Sequence, residues 1–320
     1  MAAGGGNKAV IAALIANLGI ATLKFIAYFL TRSSAMLAEA IHSVADSGNQ
    51  LLLLVGGKTA AKEADPEHPF GHGGDRYIYA FVVSIVLFSV GGLFALYEAY
   101  HKWQDPHPIE GRWWWVPIAV LVGGIALEGR SFLVAVSESK KAKGEQSWGR
   151  FIRNAKAPEL PVILLEDFAA LIGLVLALIA VTLTLLTGNG LWDAAGTACI
   201  GVLLVLIAVT LAVETKSLLL GESASKTDVR AIRTALEGEG DNHVIHLKTL
   251  HLGPEEILVA AKIGVQPDAG AKAVVERIND AEARIRRAVP MARLIYIEPD
   301  IEQPDYRSSV PPRVPSRKEH

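Results

Sequence analysis

ELPVILLEDFAALIGLVLALIAVTLTLLT, residues 159–187, decides the architecture. At 1.5 Å per helical residue it outreaches the roughly 30 Å hydrocarbon core of a bilayer. Two adjacent acids, Glu166 and Asp167, nevertheless interrupt the apolar run. Five further stretches have the same character, near residues 9–31, 35–56, 77–100, 113–137 and 192–217. The sequence therefore predicts six transmembrane helices. The first reads as a permanent helix rather than a cleaved leader, because it is long, carries Lys24 and runs straight into the next span.

Composition points the same way. Apolar residues make up 51% of the 320 positions before the 29 glycines are added, which disfavours a soluble enzyme. Of 64 charged residues, 33 lie in the first 220 positions and 31 in the last 100, so a lipid-like part precedes a water-like one. A net charge of −2 gives no electrostatic case for nucleic-acid binding. The single cysteine, Cys199, excludes an internal disulfide framework and a thiolate zinc cluster within one chain. The expected organisation is a disordered start at 1–8, a membrane domain at 9–217, a small α+β domain at 218–300 and a disordered Pro/Ser/Arg-rich tail at 301–320. In the α+β domain the pattern gives a helix over 226–237, strands over 244–252 and 256–265, a helix over 269–288 and a strand over 293–298.

Orientation follows from the basic loop at 138–158, with Lys140, Lys141, Lys143, Arg150, Arg153 and Lys156. The positive-inside rule places it in the cytoplasm, along with both termini and the loop at 57–76. Trp113, Trp114 and Trp115, at the start of a span, read as an interfacial aromatic belt. Lys24 is read as snorkelling or hydrogen-bonded, with contact to a substrate or an acid as the alternative.

Ionisable groups inside spans are costly and mark candidate sites. In AEAIHSVADSGNQ, residues 38–50, His42 and Asp46 lie four apart, on one helical face. They lie about 12 and 18 Å from the outer surface, while Glu166 and Asp167 are about 11–12 Å from the inner one on an antiparallel helix. An imidazole and carboxylates at matching depth suit a tetrahedral Zn²⁺ site, and a buried cluster that only orients helices is the alternative. A third group, Asp65, His68 and His72 in DPEHPFGHGGDR, has spacing that a turn can gather onto one metal; solvent-exposed histidines without a ligand are the alternative.

The HSVAD segment after SSAMLAEA, the HPFGHG loop before a new span, the six spans and the small C-terminal domain together resemble the cation diffusion facilitator family of metal transporters. The resemblance covers residues 8–300, and LLEDFAALIG with the TGNGLWD turn looks most like the branch that includes mitochondrial zinc transporter nine. It implies a homodimer in the lipid bilayer, expected in the cell membrane, that exchanges Zn²⁺ or a related divalent ion for protons, with a ferredoxin-like cytoplasmic domain. By the same resemblance His42, Asp46 and Asp167 match ligands of the site between helices two and five, and Asp65, His68 and His72 match a loop site. The remaining helix-five position falls on Ile163, which cannot coordinate, leaving Glu166 or water as the fourth ligand. The family's strand ligands are also missing at Ala261, Tyr296 and Glu298, while His243, His246 and His251 read as surface histidines.

Zn²⁺ is expected as substrate rather than prosthetic group, and an oxygen-rich site also accommodates Fe²⁺, Mn²⁺ or Co²⁺. A metal sensor or scaffold without transport, and an intramembrane metal hydrolase with Glu166 as base, are the competing readings. The absence of an HExxH-type segment argues against the hydrolase.

Overall fold

The computed structural model describes residues 2–31, 34–106, 113–238 and 243–301. It divides into two compact units, Met1–Leu220 and Gly221–His320.

The first unit is helical: α1 (Ala2–Thr31), α2 (Ser34–Thr59), α3 (Asp75–Val86), α4 (Phe94–Gln104), α5 (Val116–Lys143), a short α6 (Trp148–Asn154), α7 (Glu159–Thr187) and α8 (Leu191–Leu220). A π-helical stretch, Leu87–Leu93, joins α3 to α4 without a break. Among the described residues five stretches are long and apolar enough to cross a membrane: Asn7–Phe29, Asp75–Gln104, Val116–Lys143, Glu159–Thr187 and Leu191–Leu220. Helix α2, which holds the remaining span read from the sequence, carries a polar row of Ser43, Asp46, Ser47, Asn49 and Gln50 and is not among them.

These helices are apolar outside as well as inside. Ile15, Phe29, Leu133, Leu186 and Leu206 are all exposed, a distribution suited to lipid and unsuited to water. Hydroxyls survive in such helices by donating to the carbonyl one turn back, as Thr182, Thr184 and Thr215 do to Leu178, Ala180 and Leu211. Helix α1 packs on α2, α5 and α7, α5 on α7, and α8 on α7, α4 and α3. Backbones approach closely where glycines face a neighbour: a Cβ on Gly92 would lie 2.6 Å from Val205 Cγ2, and one on Gly201 2.8 Å from Leu96 Cγ. Helix α7 stops at Gly188, whose left-handed φ of 67° lets its N–H cap Thr184 at 2.9 Å.

The second unit has helix α9 (Lys226–Glu237), strands β1 (His243–Gly253) and β2 (Glu256–Gly264), helix α10 (Ala271–Ala288) and strand β3 (Ala292–Asp300). Strand order is β1-β2-β3, with β1 and β2 antiparallel. Strands β2 and β3 are parallel, and α10 provides the crossover that parallel pairing needs. Ile257, Val259, Ala261 and Ile263 recur at the strand period and bury one face of β2 against Ile232 and Leu236 of α9 and Ala281 and Ile285 of α10. Ser225 caps α9, its Oγ accepting from the Asp228 N–H at 3.1 Å.

Three boundaries differ from the sequence reading. Helix α1 begins at Ala2, so the glycine-rich start expected to be disordered has helical backbone. The basic loop at 138–158 is shortened, because α5 continues to Lys143 and α6 forms behind its Ser147 cap. The expected disordered tail lies, from 302 onward, outside the described residues.

Candidate functional site

Four helices contribute to a polar layer inside the apolar bundle. Helix α7 buries its first two turns, and with them Glu166, 5% exposed, and Asp167, fully buried. Helix α5 turns Gly124, Glu128, Ser131, Ala135 and Ser139 inward, a spacing of three and four that keeps all five on one face. From α2 come Ser43, Asp46, Ser47, Asn49 and Gln50, and from α1 the buried Asn17 and Lys24.

Hydrogen bonds tie the layer together. Asn49 Nδ2 donates to Glu166 Oε1 at 3.1 Å, bridging α2 to α7. Ser131 Oγ donates to Asp167 Oδ2 at 2.8 Å, bridging α5 to α7, and the carboxyl group of Glu128 lies beside that of Asp167. Lys24 Nζ donates to Ser43 Oγ at 2.9 Å and Asn17 Nδ2 to Gln50 Oε1 at 3.2 Å, so α1 is pinned to α2. Asp46 lies near enough to Glu128 and Glu166 for their charges to act on one another. Several buried oxygens have no hydrogen-bond donor: Asn49 Oδ1, Glu128 Oε2, Glu166 Oε2 and Asp167 Oδ1. Orphaned acceptors are expensive in an apolar interior, and carboxylates clustered there repel unless a cation or protons stand between them.

Asp46, Glu166 and Asp167 thus enter one layer, as their depths in the sequence lead one to expect. The side chain of His42 lies outside the described residues. Ile163 is fully buried in the apolar core, which removes it as a donor. Glu128 was not anticipated. Its signal is a single glutamate in ALEGRSF, two residues before Arg130, without a second donor at helical spacing to draw attention to it. Asn49, Gln50 and Ser131 were missed because uncharged polar residues are common packing elements of membrane helices.

The loop between α2 and α3 builds a different constellation. Asp65, His68 and His72 each offer a donor atom within 4.8 Å of the others, the one such group among the described residues. His72 Nε2 lies 3.0 Å from Asp65 Oδ2 and His68 Nδ1 3.3 Å from Oδ1, with the two rings 4.4 Å apart. Backbone N–H groups of His68 and Glu67 also donate to Asp65 Oδ1. The His72 bond, then these backbone donors, hold the Asp65 carboxyl at about 2, so it is a carboxylate throughout the physiological range. One carboxylate and two imidazoles form a donor set suited to Zn²⁺.

The second unit offers less. His243, His246 and His251 lie along β1; His251 is buried and its ring hydrogen-bonds the Gly253 carbonyl through Nδ1 at 3.1 Å. Ala261 belongs to the core, and Glu298 pairs with Lys262 at 3.1 Å.

Residues 10–220 match the cation efflux transmembrane domain family. The chain belongs to that family. Over 263 residues it is 32% identical to the mitochondrial proton-coupled zinc antiporter SLC30A9 of Homo sapiens, covering 81% of this chain and 46% of the relative. Metal tolerance protein C4 of Arabidopsis thaliana is 27% identical over 261 residues, 80% of this chain and 56% of that protein. The magnetosome protein MamB of a Magnetospira strain is 36% identical over 87 residues, 27% of this chain and 29% of MamB. The chain therefore spans about half the length of the first two relatives. Within the cation efflux family it falls in the branch of the SLC30A9-like proteins, and it is a multi-pass integral membrane protein.

Proposed function

We propose that this cation efflux protein exchanges a divalent cation, Zn²⁺ foremost, for protons across its membrane. The observation that carries the reading is the burial of Glu166 and Asp167 within α7, facing Asp46 and Asn49 of α2, with carboxyl oxygens left without donors. The names of the SLC30A9 relatives support zinc and proton coupling.

In this reading α2 is a sixth span and both termini face the cytoplasm, where the basic residues between α5 and α7 also lie. His42 joins Asp46, Asp167 and Glu166 as ligands. Zn²⁺ binds neutral imidazole and ionised carboxylate, so its arrival displaces protons and incoming protons displace it. Rocking of the site-bearing helices opens it to one side at a time. Asp65, His68 and His72 hold a second ion at the loop, on the side from which metal enters. The second unit is a ferredoxin-like module through which two copies pair.

The test is metal-driven proton movement in vesicles reconstituted with the full chain. Asp46→Ala and Asp167→Ala are expected to abolish it while binding at the loop persists. Undiminished flux in both variants refutes the site. Metal binding without flux in the parent protein instead favours a sensor.

A further inference from the structure

Glu128 lies outside the helix pair on which the proposed site rests, yet it is a fourth acid of the same layer. It is 1% exposed, on the inward face of α5. A carboxyl group in that position is tolerated only when something offsets it. What surrounds it is mostly more acid: Asp167, Asp46 and Glu166 all act on it electrostatically, and Lys24 is the basic group that does so. One of its oxygens contacts the Asp167 carboxyl, while Oε2 is buried with no hydrogen-bond partner. Asp167 Oδ1 and Glu166 Oε2, on the facing helix, are orphaned in the same way. A purely structural hydrogen-bond cluster would be expected to pair these acceptors. Oxygens left open on facing helices are what a hard or borderline divalent cation requires.

The apolar position of α7 supplies the complementary argument. Ile163 belongs to the core and has no donor to offer, so a four-ligand site drawn from α2 and α7 alone has to enlist Glu166. Glu166 is already bonded through Oε1 to Asn49, and it neighbours Asp167, from which it points about 100° away around the helix. Glu128 approaches Asp167 from across the α5–α7 interface and needs no such distortion.

We propose that Glu128 is a direct ligand of the transported divalent cation, supplying from α5 the donor that Ile163 does not supply from α7. The inference rests on the reading that the ion is held beside Asp167. It makes the site a three-helix one, so that α5 moves with the ion-binding helices during transport, and it enriches the donor set in carboxylate oxygen.

The test uses the purified full chain with His68→Ala and His72→Ala introduced, so that the loop does not contribute, and Zn²⁺ alone as probe. Competition with a chelating dye is expected to show that Glu128→Gln weakens zinc binding by more than the roughly 10- to 100-fold cost of losing a hydrogen-bond partner of a ligand. Glu138→Gln, on the same helix, is expected to leave it unchanged. Glu128→His is expected to restore binding and add the ring scattering of one more imidazole to the zinc X-ray absorption spectrum. Because that spectrum is read on whichever variant folds, a poorly folded Glu128→Gln does not stop the test. Affinity of Glu128→Gln within threefold of its parent overturns the inference and leaves the proposed function standing. So does zinc bound by Glu128→His without an added ring, which makes Glu128 a positioning residue. A parent that binds no zinc once the loop is silenced overturns the intramembrane reading itself.

Discussion

Removing one hydroxyl, by Ser131→Ala, isolates what the α5–α7 bridge contributes. Ser131 Oγ donates to Asp167 Oδ2 at 2.8 Å in a fully buried position, so no water replaces it when it is lost. A hydrogen bond to a charged group contributes about 1.5–3 kcal/mol, which is about 10- to 150-fold in an equilibrium constant. Outer partners of metal ligands cost roughly 10- to 100-fold when removed, an independent figure that overlaps the first. The fold is weakened rather than lost, since alanine favours a helix over serine by about half a kcal/mol and offsets part of the missing bond. In proteoliposomes the variant is expected to raise the half-saturating Zn²⁺ concentration by at least tenfold, and the metal-free protein is expected to melt lower than the parent. Ser131→Thr keeps the hydroxyl and should recover most of the loss. A half-saturating concentration within threefold of the parent, in a variant that is correctly folded, would refute the idea that Asp167 is oriented for the ion by this bond.

Two further outcomes test the packing and the second unit. Gly201→Ala places a Cβ 2.8 Å from Leu96 Cγ and 3.0 Å from its backbone nitrogen, whereas Gly173→Ala meets Ile200 Cγ2 at an ordinary 3.6 Å. Overpacking should cost the first about 1–3 kcal/mol and lower its melting temperature, while the second stays level or rises; equal melting of both contradicts the close approach of α4 and α8. Asp300 accepts from Lys262 Nζ at 2.9 Å, a bond that holds its carboxyl below the usual 3.8. Because the folded value is the depressed one, its stabilisation is complete above 3.8 and is lost as pH falls through the lower folded value. Lys262→Met is therefore expected to flatten the acid-side decline of the melting temperature in that window, and an unchanged decline removes the pair from the account.

The bundle was legible because a bilayer imposes a length and an apolar character that any window detects. The same cost made Glu166 and Asp167 conspicuous, and the α9-β1-β2-α10-β3 order followed from switches between the two periodicities, with boundaries within a few residues of those expected. Glu128 obeyed that rule equally, but a search for donors paired at helical spacing passes over a lone acid. Its partner, Asp167, is distant in sequence and close only after α5 and α7 pack. Asn49 and Ser131 carry no charge, so their roles emerge only from what their side chains reach. The π-helical stretch also left no mark, since two glycines in a membrane helix are ordinary.

That stretch solves a problem of phase. From Tyr77 through Ala80, Val83, Ser84 and Leu87 the inward residues of this membrane-crossing helix follow regular α winding. The inward set then resumes at Gly91 and Gly92 and continues to Ala99. Between them the Leu87–Leu93 backbone winds as a π-helix, whose i→i+5 bonds take in one residue more than an α turn. Excising one residue between Leu87 and Leu93 would restore uniform winding, but everything beyond it would swing by about 100°, carrying Leu96 away from Gly201 and pointing a different set of side chains at α8. The widened coil thus works as a gear offset, letting a single rod mesh at both ends with neighbours cut to different registers.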